Sequence, residues 1–257
     1  MSKQNASKNK KSMRNKRRVR KQSSKPSKSF VKKVQRIIHK DTETKVVVYT
    51  SNATAFNQQI NSSGDALRLM PQIANGTAEN QKIGNIIRLQ SLNVRGVLTF
   101  AYQTTSPNTR IGVRLLVLRA KRFKDWNQSA TDLATNYTRL LEGSTAGATG
   151  LVADFNTPIN HDYFSVVKDK RFYMSQSLQA VGTTVNDTIN TTKFINFNVP
   201  YCRRNVMYDQ DFSATEPIDF PMFMCLFYCK LDGSASDLPA TTYLTFQYVS
   251  TAKYEDA

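Results

Sequence analysis

The chain has 257 residues and a formal net charge of +17 at pH 7. No stretch approaches the roughly 20 apolar residues that span a bilayer, and the basic N-terminus is not followed by the apolar segment of a secretory signal. These features argue against a membrane protein and against a secreted one. We therefore expect a protein that is soluble and intracellular when it is made and that has no membrane partner.

The positive charge is concentrated at the N-terminus. Residues 1–40 contain 16 Lys and Arg and no Asp or Glu, whereas residues 41–257 contain 20 basic and 19 acidic residues. Residues 1–28 have too few apolar side chains to offset the entropy of ordering a backbone, so this arm is predicted to be disordered when free. A nearly neutral body with a polycationic arm indicates a nucleic-acid partner, because Lys and Arg that neutralise phosphates release condensed counterions.

The candidate nucleic-acid-binding residues are the cations of the arm and of the segment after it: Lys10, Lys11, Arg14, Lys16, Arg17, Arg18, Arg20, Lys21, Lys25, Lys28, Lys32, Lys33 and Arg36. The densest run, residues 14–21, has no aromatic side chain on which a base could stack, so it suits phosphates rather than sequence reading. Such a run is also typical of a nuclear localisation signal, and the two roles are compatible.

Residues 29–40 are predicted to form a short amphipathic helix with a basic face. Apolar side chains at positions 30, 31, 34, 37 and 38 follow the helical period, and cations fill most of the remaining positions. Ser29 is placed to cap the first turn with its hydroxyl. The apolar stripe has two uses: it packs on its own domain, or it packs against copies of itself while the basic face meets phosphate.

The body, residues 41–257, is predicted to be a single all-β domain. About nine apolar runs predict strands, at residues 45–50, 86–89, 92–102, 111–118, 164–167, 172–177, 193–199, 222–231 and 241–251. No helix alternates regularly with them, which favours an antiparallel sandwich or barrel. Two long connections, residues 121–162 with a short helix at 133–141 and residues 202–221, are predicted to be functional loops.

The sequence contains no recognisable catalytic motif. A Walker loop, a dinucleotide-binding glycine fingerprint and a nucleophile elbow are all missing. His39 falls in the basic helix, where a surface role is expected, and His161 beside Asp162 is a weak pair. We therefore expect no enzyme and no required cofactor.

The cysteines and the acidic loop are poor candidates for a metal site. Cys202, Cys225 and Cys229 lack metal-site spacing, and the last two are predicted to be small, buried, apolar residues. Asp209 and Asp211 have the i, i+2 spacing of a calcium loop but lack its glycine and further ligands.

The segment at residues 80–96, NQKIGNIIRLQSLNVRG, resembles a stretch in the coat protein of satellite tobacco necrosis virus. It also resembles the corresponding stretch in capsid proteins of small circular Rep-encoding single-stranded DNA viruses. Residues 34–45, 156–169 and 254–257 are similar to further segments of the satellite protein, in the same order. The resemblance is therefore collinear over most of residues 31–257.

This resemblance implies a single jelly roll of two four-stranded antiparallel sheets, assembled into an icosahedral T=1 shell of sixty identical subunits with the arms inside. It implies a virion location and a single-stranded nucleic-acid cargo, with DNA favoured over RNA, and the basic run at residues 14–21 adds the expectation of a nuclear stage during assembly. In the satellite branch it also implies Ca²⁺ between subunits, with Glu43 and Asp256 at the matching positions. The longer arm and loops of this chain favour the DNA-virus branch and weaken the calcium assignment.

The leading interpretation is a viral capsid protein that self-assembles and packages nucleic acid through residues 1–40. The main alternative is a non-viral nucleic-acid-binding β-domain protein with a basic tail. A third is a jelly-roll module that binds a sugar or another small ligand, with the arm as a targeting signal.

Overall fold

The computed structural model describes residues 27–41, 43–56, 66–100, 110–145, 147–175, 179–181, 184–186, 191–201, 204–209, 211, 213–231 and 244–256. The chain divides into two compact units, Met1–Asp41 and Thr42–Ala257. No helix within the described ranges is long and apolar enough to cross a membrane. Most of the predicted basic arm, residues 1–26, and Cys202 lie outside the described residues.

The first unit contains helix α1, Lys28–Asp41, which confirms the predicted helix. Its cap is Ser27 and not Ser29, so that prediction is wrong. The Ser27 hydroxyl accepts a hydrogen bond from Phe30 N at 3.2 Å, and Ser27 O accepts one from Val31 N at 3.0 Å. Because the helix starts one residue earlier than expected, Ser29 lies inside its first turn, where its Oγ is 3.0 Å from Ser27 Oγ.

The second unit is built from antiparallel strands: β1 Thr44–Phe56, β2 Leu67–Arg68, β3 Ile86–Phe100, β4 Arg110–Ala120, β5 Phe164–Ser175, β6 Gln179–Val181, β7 Thr184–Asn186, β8 Thr192–Asn198, β9 Arg204–Asp209, β10 Ser213–Pro217, β11 Met222–Lys230 and β12 Leu244–Asp256. The connection from β4 to β5 carries helix α2, Trp126–Thr135, a 3-10 turn, Tyr137–Arg139, and helix α3, Val152–Asn156. The helix predicted at 133–141 is therefore only partly right. Helix α2 begins earlier because Asp125 Oδ1 accepts a hydrogen bond from Gln128 N at 2.8 Å and caps it.

Two antiparallel sheets form a jelly roll, as predicted. The first sheet has the order β1-β12-β3-β9-β10, with β8 also paired to β3, and the second has the order β2-β11-β4-β5. Most successive strands of the two sheets lie in opposite sheets, which is the winding of a jelly roll. The first sheet has six strands rather than four because the long β3 pairs with β9 along one part of its edge and with β8 along another, and because β10 adds to β9.

The central strands of the second sheet, β4 and β11, are buried on both faces. The inner face of this sheet packs against the first sheet in the main core, to which β11 contributes Met222, Met224, Leu226 and Tyr228. The intervening β11 residues Phe223, Cys225 and Phe227 enter a second core, which the β4–β5 connection completes with Leu133, Leu140, Leu141 and Ile159. Burial on both faces accounts for the unbroken apolar run in this strand. Cys225 and Cys229 are buried thiols, which confirms the packing role predicted for them.

Candidate nucleic-acid interface and charged sites

Helix α1 exposes cations and apolar side chains together. Lys28, Lys32 and Lys33 are exposed, and so are Phe30 at 58% and Val34 at 37%. Arg36 lies in the same helix, but its side chain is outside the described part of the chain. The other predicted nucleic-acid-binding residues also lie outside it: Lys10, Lys11, Arg14, Lys16, Arg17, Arg18, Arg20, Lys21 and Lys25.

Lys82, in the segment on which the viral resemblance rests, supports the fold. Its side chain is fully buried, and its Nζ donates hydrogen bonds to Asn75 Oδ1 and, at 3.2 Å, to Ala214 O. The ammonium also lies 4.5 Å from the centroid of the Tyr208 ring. Burial lowers the pKa of this ammonium, and the nearby Asp256 carboxylate opposes that effect. These contacts assign Lys82 to packing rather than to a phosphate.

Gly96, at the end of the same segment, has a steric role. A Cβ there would lie 2.6 Å from Phe246 Cε2 and 2.7 Å from Gln247 O, closer than real Cβ atoms approach other atoms. The neighbouring Arg95 is exposed on the outward face of β3. Within this segment, Arg95 is therefore available to a partner, whereas Gly96 permits the close approach of β12.

The predicted calcium ligands have different surroundings. Glu43 is exposed. Asp256 is engaged: its Oδ2 lies 2.8 Å from the Lys45 ammonium, and its Oδ1 accepts a hydrogen bond from Ile83 N at 3.1 Å. Among the described residues, no group of three or more His, Cys, Asp or Glu side chains could hold a metal ion. Calcium at Glu43 and Asp256 remains a prediction, and Lys45 would compete with the ion for Asp256.

The other candidate side chains are engaged in local structure or are exposed. Asp209 Oδ1 accepts a hydrogen bond from Asp211 N at 3.0 Å, a contact within one turn. His161 and Asp162 are both exposed, and His161 O accepts a hydrogen bond from Lys121 Nζ. Neither pair forms a recognisable catalytic arrangement. The expectation that the protein is not an enzyme stays a prediction.

A basic cleft of about 610 Å³ was not foreseen from the sequence. Four cations line it: Arg119, Lys121, Lys124 and Arg204. The Arg204 guanidinium lies 5.5 Å from the centroid of the Tyr201 ring, and the Tyr201 hydroxyl donates a hydrogen bond to Asp219 O at 3.1 Å. Asp219 is the one carboxylate among the described lining residues, and burial raises its pKa. Arg119, Lys121 and Lys124 come from one short stretch at the end of β4, and Arg204 joins them from β9.

The outward face of the first sheet carries a shallow groove, also missed from the sequence. It consists of two depressions of about 400 and 520 Å³ that share Arg95 and Asn196. Strands β3, β8 and β12 all contribute to it. We call it the sheet groove; its residues are distant in sequence, and only the pairing of the strands brings them together.

These features define a single jelly-roll domain that follows a basic N-terminal segment. No protein-family model matches the chain, and no curated protein matches it significantly. Among solved structures, the chain is similar to the VP2 protein of infectious bursal disease virus in a subviral particle, with 11% sequence identity and a TM-score of 0.27, covering 83% of this chain and 33% of that one. It is also similar to a chain of the T13 particle of the same virus, with 15% identity and a TM-score of 0.24, covering 84% of this chain and 36% of that one. The chain thus spans about a third of the length of these solved chains.

Proposed function

We propose that this chain is a viral capsid protein, whose jelly rolls assemble into a closed shell and whose residues 1–40 bind the packaged nucleic acid. The observation that carries the proposal is that the excess positive charge and the jelly roll lie in different parts of the chain. Residues 1–40 contain 16 cations and no acid, and the remainder, with 20 basic and 19 acidic residues, contains the jelly roll. The protein would then act structurally and not as an enzyme.

Electrostatics supports this division of roles. A shell of sixty subunits would hold on the order of a thousand arm cations, each neutralising about one phosphate. A nearly neutral body allows subunits to pack without strong mutual repulsion. The sixty-subunit T=1 shell, the single-stranded DNA cargo and the virion location belong to the proposal through the resemblance of residues 80–96. The nuclear stage belongs to it through the basic run at residues 14–21.

The apolar stripe of helix α1 supports contacts between copies of the chain. Phe30 is 58% exposed and Val31 and Val34 are each 37% exposed, while Lys32 and Lys33 lie between them in sequence and are also exposed. Burying apolar area of this kind contributes about 25 cal/mol per Å². We assign the stripe to helix contacts between subunits, with the basic face of α1 directed toward phosphate.

Particle size tests the assembly. Sedimentation velocity of the purified chain, over a range of salt concentrations and with single-stranded DNA added, is expected to show a closed particle. Its mass would be about 1.7 MDa for sixty subunits of 29.1 kDa. A monomer or dimer under every condition would contradict the capsid function. If that small species still bound nucleic acid through its arm, the non-viral binding protein would be the correct interpretation.

Neutralising the arm tests the packaging role. We propose a full-length variant with glutamine in place of six cations: Arg14, Lys16, Arg17, Arg18, Arg20 and Lys21. The salt slope is the slope of the logarithm of the binding constant against the logarithm of the salt concentration. For binding a single strand, its magnitude should fall by about 4 in this variant, because each lost phosphate contact removes roughly 0.7. The matched control keeps the composition of residues 1–26 in scrambled order and should bind like the wild type. An unchanged slope in the neutralised variant would assign the nucleic acid to the body.

A further inference from the structure

The sheet groove has an ordered set of outward side chains. The register places Arg95 of β3 between Asn196 of β8 and Val249 of β12. One step along the same face, Asn93 lies between Asn198 and Thr251. In the other direction, Val97 lies between Phe194 and Gln247. Three successive rows of side chains therefore form one continuous surface across the three strands.

The described residues of the sheet groove carry a net positive charge. No carboxylate lines either depression among the described residues, whereas Arg95 and Lys253 both do. Neither of these cations makes a hydrogen bond or an ion pair within the described part of the chain. They differ in this respect from Lys45 and Arg114, whose charges are compensated inside the domain. Two uncompensated cations on an acid-free surface favour an anionic partner.

Hydrogen bonds among three asparagines fix the side-chain amides at one end of the groove. Asn93 Nδ2 donates to Asn196 Oδ1 at 3.1 Å, to Asn198 Oδ1 at 2.8 Å and to Phe197 O at 3.3 Å. The carbonyl oxygens of Asn196 and Asn198 are thus turned toward Asn93. Their amide groups therefore point away from Asn93 and can donate hydrogen bonds to a ligand, such as a phosphate or a base.

Phe194 supplies an aromatic surface at the other end of the groove. Its side chain is 79% exposed, the largest exposed fraction among the large hydrophobic side chains that the structure describes. It stands opposite Val97, beside the depression that contains Arg95 and Gln247. An exposed ring next to cations and amides matches the stacking surfaces of proteins that bind single-stranded nucleic acid without reading its sequence.

We propose that the sheet groove binds single-stranded nucleic acid, with a base stacked on Phe194 and the sugar-phosphate backbone following Arg95, the asparagine amides and Lys253. The inference rests on the proposed function, to which it adds a second contact that depends on bases. Residues 1–29 contain no aromatic side chain, so this part of the chain binds phosphates and offers no ring for a base to stack on. The groove would thus distinguish an unpaired strand from other polyanions.

The test compares two labelled strands of equal length, an oligothymidylate and an abasic strand with the same number of phosphates. Fluorescence anisotropy with the full-length protein gives the ratio of their dissociation constants. We expect the wild type to prefer the oligothymidylate by at least about fivefold, the lower limit for one stacked base. Phe194→Ala should reduce the ratio to about one, and Phe194→Trp should preserve it. Arg95→Gln should weaken both strands alike and lower the salt slope by about 0.7.

The matched control is Phe30→Ala, because Phe30 is a second exposed ring and lies on the basic helix. It should leave the ratio unchanged; loss of the base preference in this variant, or its retention in Phe194→Ala, would overturn the proposal. Sedimentation of Phe194→Ala beside the wild type detects the alternative occupant: a change in subunit association in this variant with an unchanged ratio would make the groove a contact between copies. If the protein bound the oligothymidylate and not the abasic strand, packaging by the arm would be contradicted and binding in the sheet groove would still be supported. If it bound neither strand, both proposals would be contradicted.

Discussion

The Lys45 ammonium lies 2.8 Å from Asp256 Oδ2 and joins the first strand of the jelly roll to its last. The same ammonium donates a hydrogen bond to Gln81 O at 2.9 Å, which adds the segment before β3 to the junction. Lys45 is 5% exposed and Asp256 is 21% exposed, so water screens the pair only partly. One cation thereby fixes three segments that are far apart in sequence.

Asp256→Asn should lower the free energy of unfolding by about 1–3 kcal/mol, because it leaves a buried ammonium without its counter-charge. Lys45→Met should cost less, since methionine removes the charge and retains much of the volume. Urea unfolding of dissociated subunits measures both. Lys253→Gln, an exposed change on the same strand, is the control, and an Asp256→Asn effect no larger than this control would mean that the pair does not contribute to stability.

Calcium binding should depend on the same pair. If Glu43 and Asp256 hold Ca²⁺ between subunits, the Lys45 ammonium opposes the ion, so Lys45→Met should increase the rise in particle Tm on adding calcium. Adding Glu43→Gln or Asp256→Asn to that variant should remove the increase. Thermal scans with calcium and with a chelator measure these shifts, each variant being compared with its own chelated sample. Equal shifts in all the variants would remove both acids as ligands.

Substitution of Arg114 should be among the most destabilising changes beside the second core. It is 1% exposed; its Nη2 lies 2.7 Å from Asp169 Oδ2, and its Nη1 donates a hydrogen bond to Thr157 O at 2.6 Å. Arg114→Met should lower the free energy of unfolding by about 2–5 kcal/mol, because Asp169 loses its buried partner and a backbone carbonyl loses its donor. Trp126, the single tryptophan, reports by fluorescence whether helix α2 is released.

The matched control is Arg171→Gln, which removes a cation from the same carboxylate. Arg171 is 38% exposed and lies 3.6 Å from Asp169 Oδ2. Exposed pairs contribute roughly 0–1 kcal/mol, so this variant should unfold nearly like the wild type. Similar losses in the two variants would show that burial of Arg114 does not set its contribution.

Alkaline pH should destabilise the folded domain partly through Cys229. Burial raises the pKa of its thiol to about 11, whereas an unfolded cysteine titrates at about 8.5. The neutral Cys229 thiol therefore makes its full contribution to the free energy of unfolding below about pH 8.5. That contribution is lost as the pH rises toward 11, at up to about 1.4 kcal/mol per pH unit, because the thiol ionises first in the unfolded chain. Cys229→Ala should show a shallower loss when unfolding free energies at pH 8 and pH 10.5 are compared. The lowered pKa of Lys82 acts in the opposite direction in both proteins, so it cancels.

The strands of the domain were predictable where their apolar pattern is strong. The run at residues 222–231 closely matches β11, which is buried on both faces. Two predicted pairs of strands are single strands in the structure. Residues 86–89 and 92–102 are joined in β3, and residues 164–167 and 172–177 are joined in β5 across charged residues. Strand β5 lies at the edge of its sheet, where charged side chains are tolerated.

The second long connection was misjudged because its acids suggested a loop. Residues 202–221 contain strands β9 and β10. Glu216 of β10 lies 2.6 Å from Arg68 Nη2 and accepts a hydrogen bond from Trp126 Nε1 at 3.1 Å. Its partners are more than 80 residues away in sequence, so local patterns carry no sign of them. The sheet groove escaped prediction for the same reason, because its rows exist only after β3, β8 and β12 pair.

The second core makes the β4–β5 connection a structural part of the domain, which limits where foreign peptides can be inserted. Leu140 and Leu141 are buried, so an insertion there would open the cover of the second sheet. Two residues on, Gly143 has a φ of +68° and open space around its Cα, and Glu142 is exposed. A peptide displayed at Gly143 would project from the covered side of the domain while the first sheet kept its own surface. A peptide can therefore be inserted on one side of this jelly roll without changing the surface of the other side.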